Sequence, residues 1–132
     1  VSALLTPPVP VETSPAARGR LGGWSLVLAL VALVGAALVA GFVGATIVPM
    51  EAAHGTHFAD TPPTYRTTVT VLGATMLLWT AAGIAALATG LAAVLRGERS
   101  ARAVWGIALA LAAPVVTILV LVVAMLVSAA AL

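Results

Sequence analysis

Three long stretches of this chain contain no Asp, Glu, Lys, Arg or His: Leu21 to Met50, Thr67 to Leu95, and Ala103 to Leu132. A helix needs about 20 residues to cross a hydrocarbon core roughly 30 Å thick, so each stretch is long enough to span a bilayer. The pattern predicts an all-α integral membrane protein with three transmembrane helices, placed near residues 24–48, 69–95 and 104–129. Pro49 is expected to end the first span. Pro114 lies inside the third, where it frees the carbonyl of Ala110 and predicts a kink; Thr117 is placed to help satisfy that carbonyl.

The polar positions divide the rest. Residues 1–20 read as a disordered tail, with Pro7, Pro8, Pro10 and Pro15 denying a helix its donors. The membrane domain then covers residues 21–132, with an outer loop at 50–66 and a charged turn at 96–102. So short a turn makes spans two and three an antiparallel hairpin. The first apolar run is too long for a cleavable signal core and reads as a retained anchor.

Arginines set the expected orientation. Arg18 and Arg20 precede span one, and Arg96, Arg99 and Arg102 fill the second connection, while the first connection has only Arg66. The positive-inside rule then places the N-terminus and the arginine turn in the cytoplasm and the 50–66 loop and C-terminus outside. Trp24 and Trp105 fall near the expected inner interface, where indole is favoured.

Composition sharpens this picture by exclusion. The chain is 62% hydrophobic and 8% charged, against about a quarter charged residues in soluble domains. It has neither Cys nor Lys, which removes disulfides, thiolate metal sites, cysteine nucleophiles and Schiff-base lysines. The net charge of +2 forms no basic stripe with aromatic platforms, so no nucleic-acid partner is expected. No ionisable group lies inside a span, where proton relays and ion pathways carry theirs. Neither an enzyme nor a cofactor is expected.

Four readings concern particular residues. Small residues at spacing four, Ala37, Gly41 and Ala45 in span one, Ala82, Ala86 and Gly90 in span two, and Gly106 and Ala110 in span three, are candidate helix-packing seams. Beside the first set run Ala32, Ala36, Ala40 and Gly44. Arg96, Arg99 and Arg102 are candidates for contact with anionic lipids or an acidic partner. Thr75, Thr80, Thr89 and Thr117 are polar at depth, and each can bond its own helix backbone. In the loop, Glu51, His54, His57 and Asp60 recur every third residue. On a helical turn they would form a stripe of zinc or copper ligands; the other readings are a solvated loop or protein contact, and a proton-responsive contact through His54 and His57.

The stretch Gly90-Leu91-Ala92-Ala93-Val94-Leu95-Arg96-Gly97, followed by Arg102-Ala103-Val104-Trp105-Gly106-Ile107-Ala108-Leu109-Ala110, resembles small actinobacterial hairpin membrane proteins. In these a Gly/Ala-rich helix, an arginine turn and a second helix follow one another. The size, the tail and the lack of catalytic residues also look like supernumerary subunits of actinobacterial respiratory complexes. These likenesses imply a bacterial plasma-membrane protein that acts as a non-catalytic accessory or assembly subunit, partnered by membrane lipids and other integral membrane chains. The alternative is a small homo-oligomeric transporter or channel for neutral or apolar solutes.

Overall fold

The computed structural model describes residues 15–97 and 100–132, with side chains described from Arg20 onward. Among the described residues it is all-helical and holds three α-helices, each long and apolar enough to cross a membrane. Helix α1 spans Pro15–His54, α2 spans Pro63–Leu95 and α3 spans Ala101–Ala130. A single 3-10 turn, Phe58–Asp60, lies between α1 and α2. At 1.5 Å per residue even α3, with 30 residues, is about 45 Å long, well beyond a hydrocarbon core.

Several boundaries differ from those expected of the sequence. Of the tail assigned to residues 1–20, the described part from Pro15 to Arg20 is helical and continuous with α1, and residues 1–14 lie outside the described residues. Pro49 does not end the first helix but lies inside it. A proline ring fixes a φ that suits a helix and removes one donor; this close to the end of α1 one lost bond does not stop it. Gly55 stops it instead. Its φ of +89° is left-handed, and its N–H donates to the Glu51 carbonyl at 2.9 Å, a helix-terminating pattern that glycine adopts without strain. The connection between α1 and α2 therefore shortens to the residues between His54 and Pro63.

The other ends have local causes. Pro63 stands at the first position of α2, where a missing N–H costs nothing. α2 stops at Leu95, and Gly97 turns the chain at φ +80°. Ser100 caps α3, its Oγ accepting from the Ala103 N–H at 3.3 Å. α3 runs unbroken through Pro114. Thr117 does not serve the carbonyl that Pro114 frees, because its hydroxyl donates to Ala113 O at 2.8 Å.

α1 is the central element. It packs most extensively on α3, then on α2, while the hairpin partners α2 and α3 share the smallest contact. α1 buries the largest share of its span and α2 the smallest. Large side chains such as Leu38, Leu77 and Leu126 point outward, and the buried positions are mostly Ala and Gly. This inverts the soluble pattern. In lipid, apolar burial brings little gain, so helices are held by close backbone approach through small residues.

Candidate functional site

The tightest packing joins all three helices near the turn between α2 and α3. Ser25 of α1 is fully buried, and its hydroxyl donates to the Ala86 carbonyl of α2 at 2.8 Å. Ala29, Ala86 and Ala110 form the buried core beside it. A Cβ on Gly106 would fall against Ser25 Oγ and within 2.9 Å of the Leu26 nitrogen. A Cβ on Gly90 would stand 2.7 Å from the same hydroxyl and 2.6 Å from Ile107 Cγ1. Gly22 meets the Ser100 cap of α3 in the same way, at 2.7 Å from Oγ. At Gly106 the α1 backbone itself occupies the space of a side chain, whereas at Gly90 and Gly22 the closest atoms belong to the side chains of Ile107, Ser25 and Ser100, which would have to shift.

The buried positions of α1 are Gly22, Ser25, Ala29, Ala32, Gly35, Val39, Ala40 and Gly44. From Gly22 to Ala32 they alternate at three and four, the heptad spacing that keeps one stripe on its neighbours. A strict spacing of four drifts about 40° around the helix per step. That drift accounts for where the sequence-predicted residues lie. Ala86, Gly90, Gly106 and Ala110 are buried; Ala37, Gly41 and Ala82 are half-buried; Ala45 is exposed. The adjacent set carries more of the contact, with Ala32 and Ala40 buried and Gly44 pressed on α3, 2.6 Å from Leu121 O for an added Cβ.

Farther along, the Trp79 indole lies on the bare backbone of Gly35, where an added Cβ would meet the ring at 2.5 Å. Beside it a cavity of about 370 Å³ is lined by Ala32, Ala36, Trp79, Gly83, Pro114 and Thr117, among others. Its surface is mostly apolar. The deep threonines offer it no free donor: Thr75, Thr80, Thr89 and Thr117 all donate to carbonyls of their own helices, at 2.6 to 2.8 Å.

The loop end is polar. Glu51, His54, His57 and Asp60 are all exposed. Glu51 and His54 end α1, but Gly55 breaks the helical register, so the four do not share a stripe. His57 Nδ1 lies 3.9 Å from Asp60 Oδ2, and among the described residues no group of three metal-ligating side chains is assembled. The loop is tied down by other residues. Thr61 is buried and donates to Phe58 O at 2.6 Å, and Thr46 and Tyr65 share a 3.2 Å hydrogen bond between α1 and α2.

At the opposite end Arg96 and Arg102 are exposed beside the Ser100 cap, while Arg99 lies outside the described residues. Trp24 and Trp105, 56% and 62% exposed, stand at the same end, as an interfacial belt requires.

Sequence reasoning passed over Ser25, Gly35 and Trp79, and took Arg66 only as a loop charge. Ser25 carried a usable signal, because it is the only serine in the first apolar run. These features define a multi-pass helical membrane protein held together by small residues. Comparison with protein-family models, with curated proteins and with solved structures finds no match to this chain.

Proposed function

We propose that this chain is a non-catalytic accessory or assembly subunit of a larger bacterial membrane complex, acting through helix packing and loop contacts. The observation that carries the reading is on α2. Gly73 and Gly83 lie inside this helix, yet a Cβ on either would meet nothing within 4 Å. A glycine inside a helix costs about 1 kcal/mol relative to alanine. No contact among the described residues calls for either glycine, and a close-packed helix from another chain would. α2 is also the least buried of the three helices. A respiratory complex of the plasma membrane is the assembly proposed, with the N-terminus cytoplasmic, the C-terminus outside, and Arg96, Arg99 and Arg102 on lipid headgroups.

The test is gentle extraction from the native membrane followed by native mass spectrometry. Copurification with other chains at a fixed ratio is expected, and Gly73→Ile should weaken it. A lone chain or a homo-oligomer would overturn the reading.

The cavity of about 370 Å³ beside Trp79 favours a second reading, a homo-oligomeric transporter for neutral or apolar solutes. It requires a stable homo-oligomer with solute flux in liposomes that Gly83→Phe abolishes.

A further inference from the structure

Arg66 is the only arginine between the first two apolar runs. It sits in the first turn of α2, three residues from Pro63, and is half-buried. Its Nε is buried and has no hydrogen-bond partner among the described residues. Among the described residues it joins no ion pair; the pair at this end links His57 to Asp60. A guanidinium is always charged, and its donors are costly to leave unmet where water is scarce.

The space beside this group is shaped. A cavity of about 460 Å³ is lined by Phe58, Pro63, Arg66, Thr67, Thr70 and Val71. Its polar side holds Arg66 and the two threonines. The Thr67 hydroxyl is already turned to Pro63 O at 3.0 Å, which leaves the guanidinium as the cationic contact and the Thr70 hydroxyl beside it. Its apolar side continues down the helix. Val71, Ala74 and Leu78 follow Thr67 at spacings of four, three and four, on one face, and all are exposed. Tyr65 stands next to Arg66, bonded to Thr46, so this level carries the aromatic and cationic residues of a membrane interface.

We propose that this cavity binds the phosphodiester of one bilayer phospholipid, with Arg66 as its cation and the Val71–Ala74–Leu78 face as the bed for an acyl chain. One guanidinium matches the single negative charge of a phosphodiester and can bond two of its oxygens through its terminal Nη groups, Nε itself being buried. A free phosphate would leave the apolar half of the site empty. An acidic protein segment would have no use for the apolar strip below. The inference rests on the bilayer placement of α2 and not on the accessory-subunit reading.

The test uses the full chain in detergent with phosphatidylglycerol as the probe, and native mass spectrometry to count retained lipids. Wild type should retain one more lipid than Arg66→Gln, and Arg66→Lys should hold it partly. The same difference should persist when Arg96 and Arg102 are both Gln, which separates this site from the arginine turn. Equal retention by wild type and a monodisperse Arg66→Gln overturns the proposal, as does a site filled by inorganic phosphate that phosphatidylglycerol cannot displace. Should Arg66→Gln not stay monodisperse, Thr70→Phe fills the cavity and leaves the guanidinium in place. Loss of the lipid then supports the site, and its retention overturns it.

Discussion

Ser25 on α1 donates its buried hydroxyl to the backbone carbonyl of Ala86 on α2, at 2.8 Å. Ala86 lies inside α2, so its carbonyl also accepts from the helix backbone, and the Thr89 hydroxyl, which donates to Ala85 O at 2.8 Å, stands 3.1 Å from it; Ala86 O stays bonded without Ser25. The hydroxyl also fills the notch that Gly90 and Gly106 leave open. Ser25 thus acts in two ways, as a donor to α2 and as a filler between α2 and α3.

Those two contributions separate by mutation. Interhelical hydrogen bonds in membranes average about 0.6 kcal/mol and reach about 1.7, so Ser25→Ala should cost about that much and leave the fold intact. Gly106→Ala should cost more, about 1–3 kcal/mol or above, because its new Cβ meets the α1 backbone at Leu26 N and Ser25 C, both 2.9 Å away. The double variant relieves the hydroxyl clash and keeps the backbone one, so it should remain less stable than Ser25→Ala alone. Denaturation in detergent, followed by tryptophan fluorescence, ranks the variants. Gly106→Ala as stable as wild type would remove the close-packed junction.

The contact between Gly35 and Trp79 makes a second steric prediction. An added Cβ would stand 2.5 Å from the indole ring, so Gly35→Val must expel Trp79 from its seat on α1. The expected result is a shifted Trp79 emission maximum in a background where Trp24 and Trp105 are replaced by Phe. Stability should fall by about 1–3 kcal/mol, the usual range for overpacking. Trp79→Ala in the same background as Gly35→Val should recover part of that loss, since the two changes share one contact. Full additivity would mean that the ring and the glycine do not meet.

The three spans were legible because the signal is an absence. Stretches without charge over 29 or 30 residues leave a helix in lipid as the simplest outcome, and local propensity hardly enters. The seam was less legible for a physical reason. In an Ala-rich helix many ridges have small residues at spacing four, and the choice among them depends on how the helices cross. Ala45 and Gly44 differ by one position, yet Ala45 is exposed and Gly44 lies on α3. Pro49 misled because one missing donor was weighted more heavily than helix continuity. Gly55, six residues later, held the real stop, a left-handed φ that only the backbone reveals. Arg66 read as a loop charge until its Nε proved buried beside a cavity.

The orientation is open to a direct measurement because the chain has no cysteine, so a single introduced thiol reports alone. His57 and Ala101 are both exposed and lie at opposite ends of α2. With the arginine turn cytoplasmic, His57→Cys should react with a membrane-impermeant maleimide in intact cells. Ala101→Cys should react only after permeabilisation. The reverse pattern would place the C-terminus in the cytoplasm and contradict the arginine count. Labelling of both from outside would mean that α2 does not cross.

Two glycines near the arginine turn should respond to alanine with opposite signs. Gly97 follows α2 at φ +80°, a left-handed conformation that costs an L-residue about 1–2 kcal/mol. Its N–H bonds to Val94 O at 3.0 Å, so the strained geometry is also the one that turns the chain toward the Ser100 cap. Gly97→Ala should therefore destabilise by about that amount. Gly23 lies inside α1, and an added Cβ there meets nothing within 4 Å. Gly23→Ala should stabilise by up to about 1 kcal/mol through helix propensity alone. Equilibrium unfolding of both variants in one detergent reads the two signs together. A stabilising Gly97→Ala would mean that the turn adopts another geometry. A destabilising Gly23→Ala would mean that the open side of α1 is covered by a close neighbour, such as a second copy of the chain in the micelle.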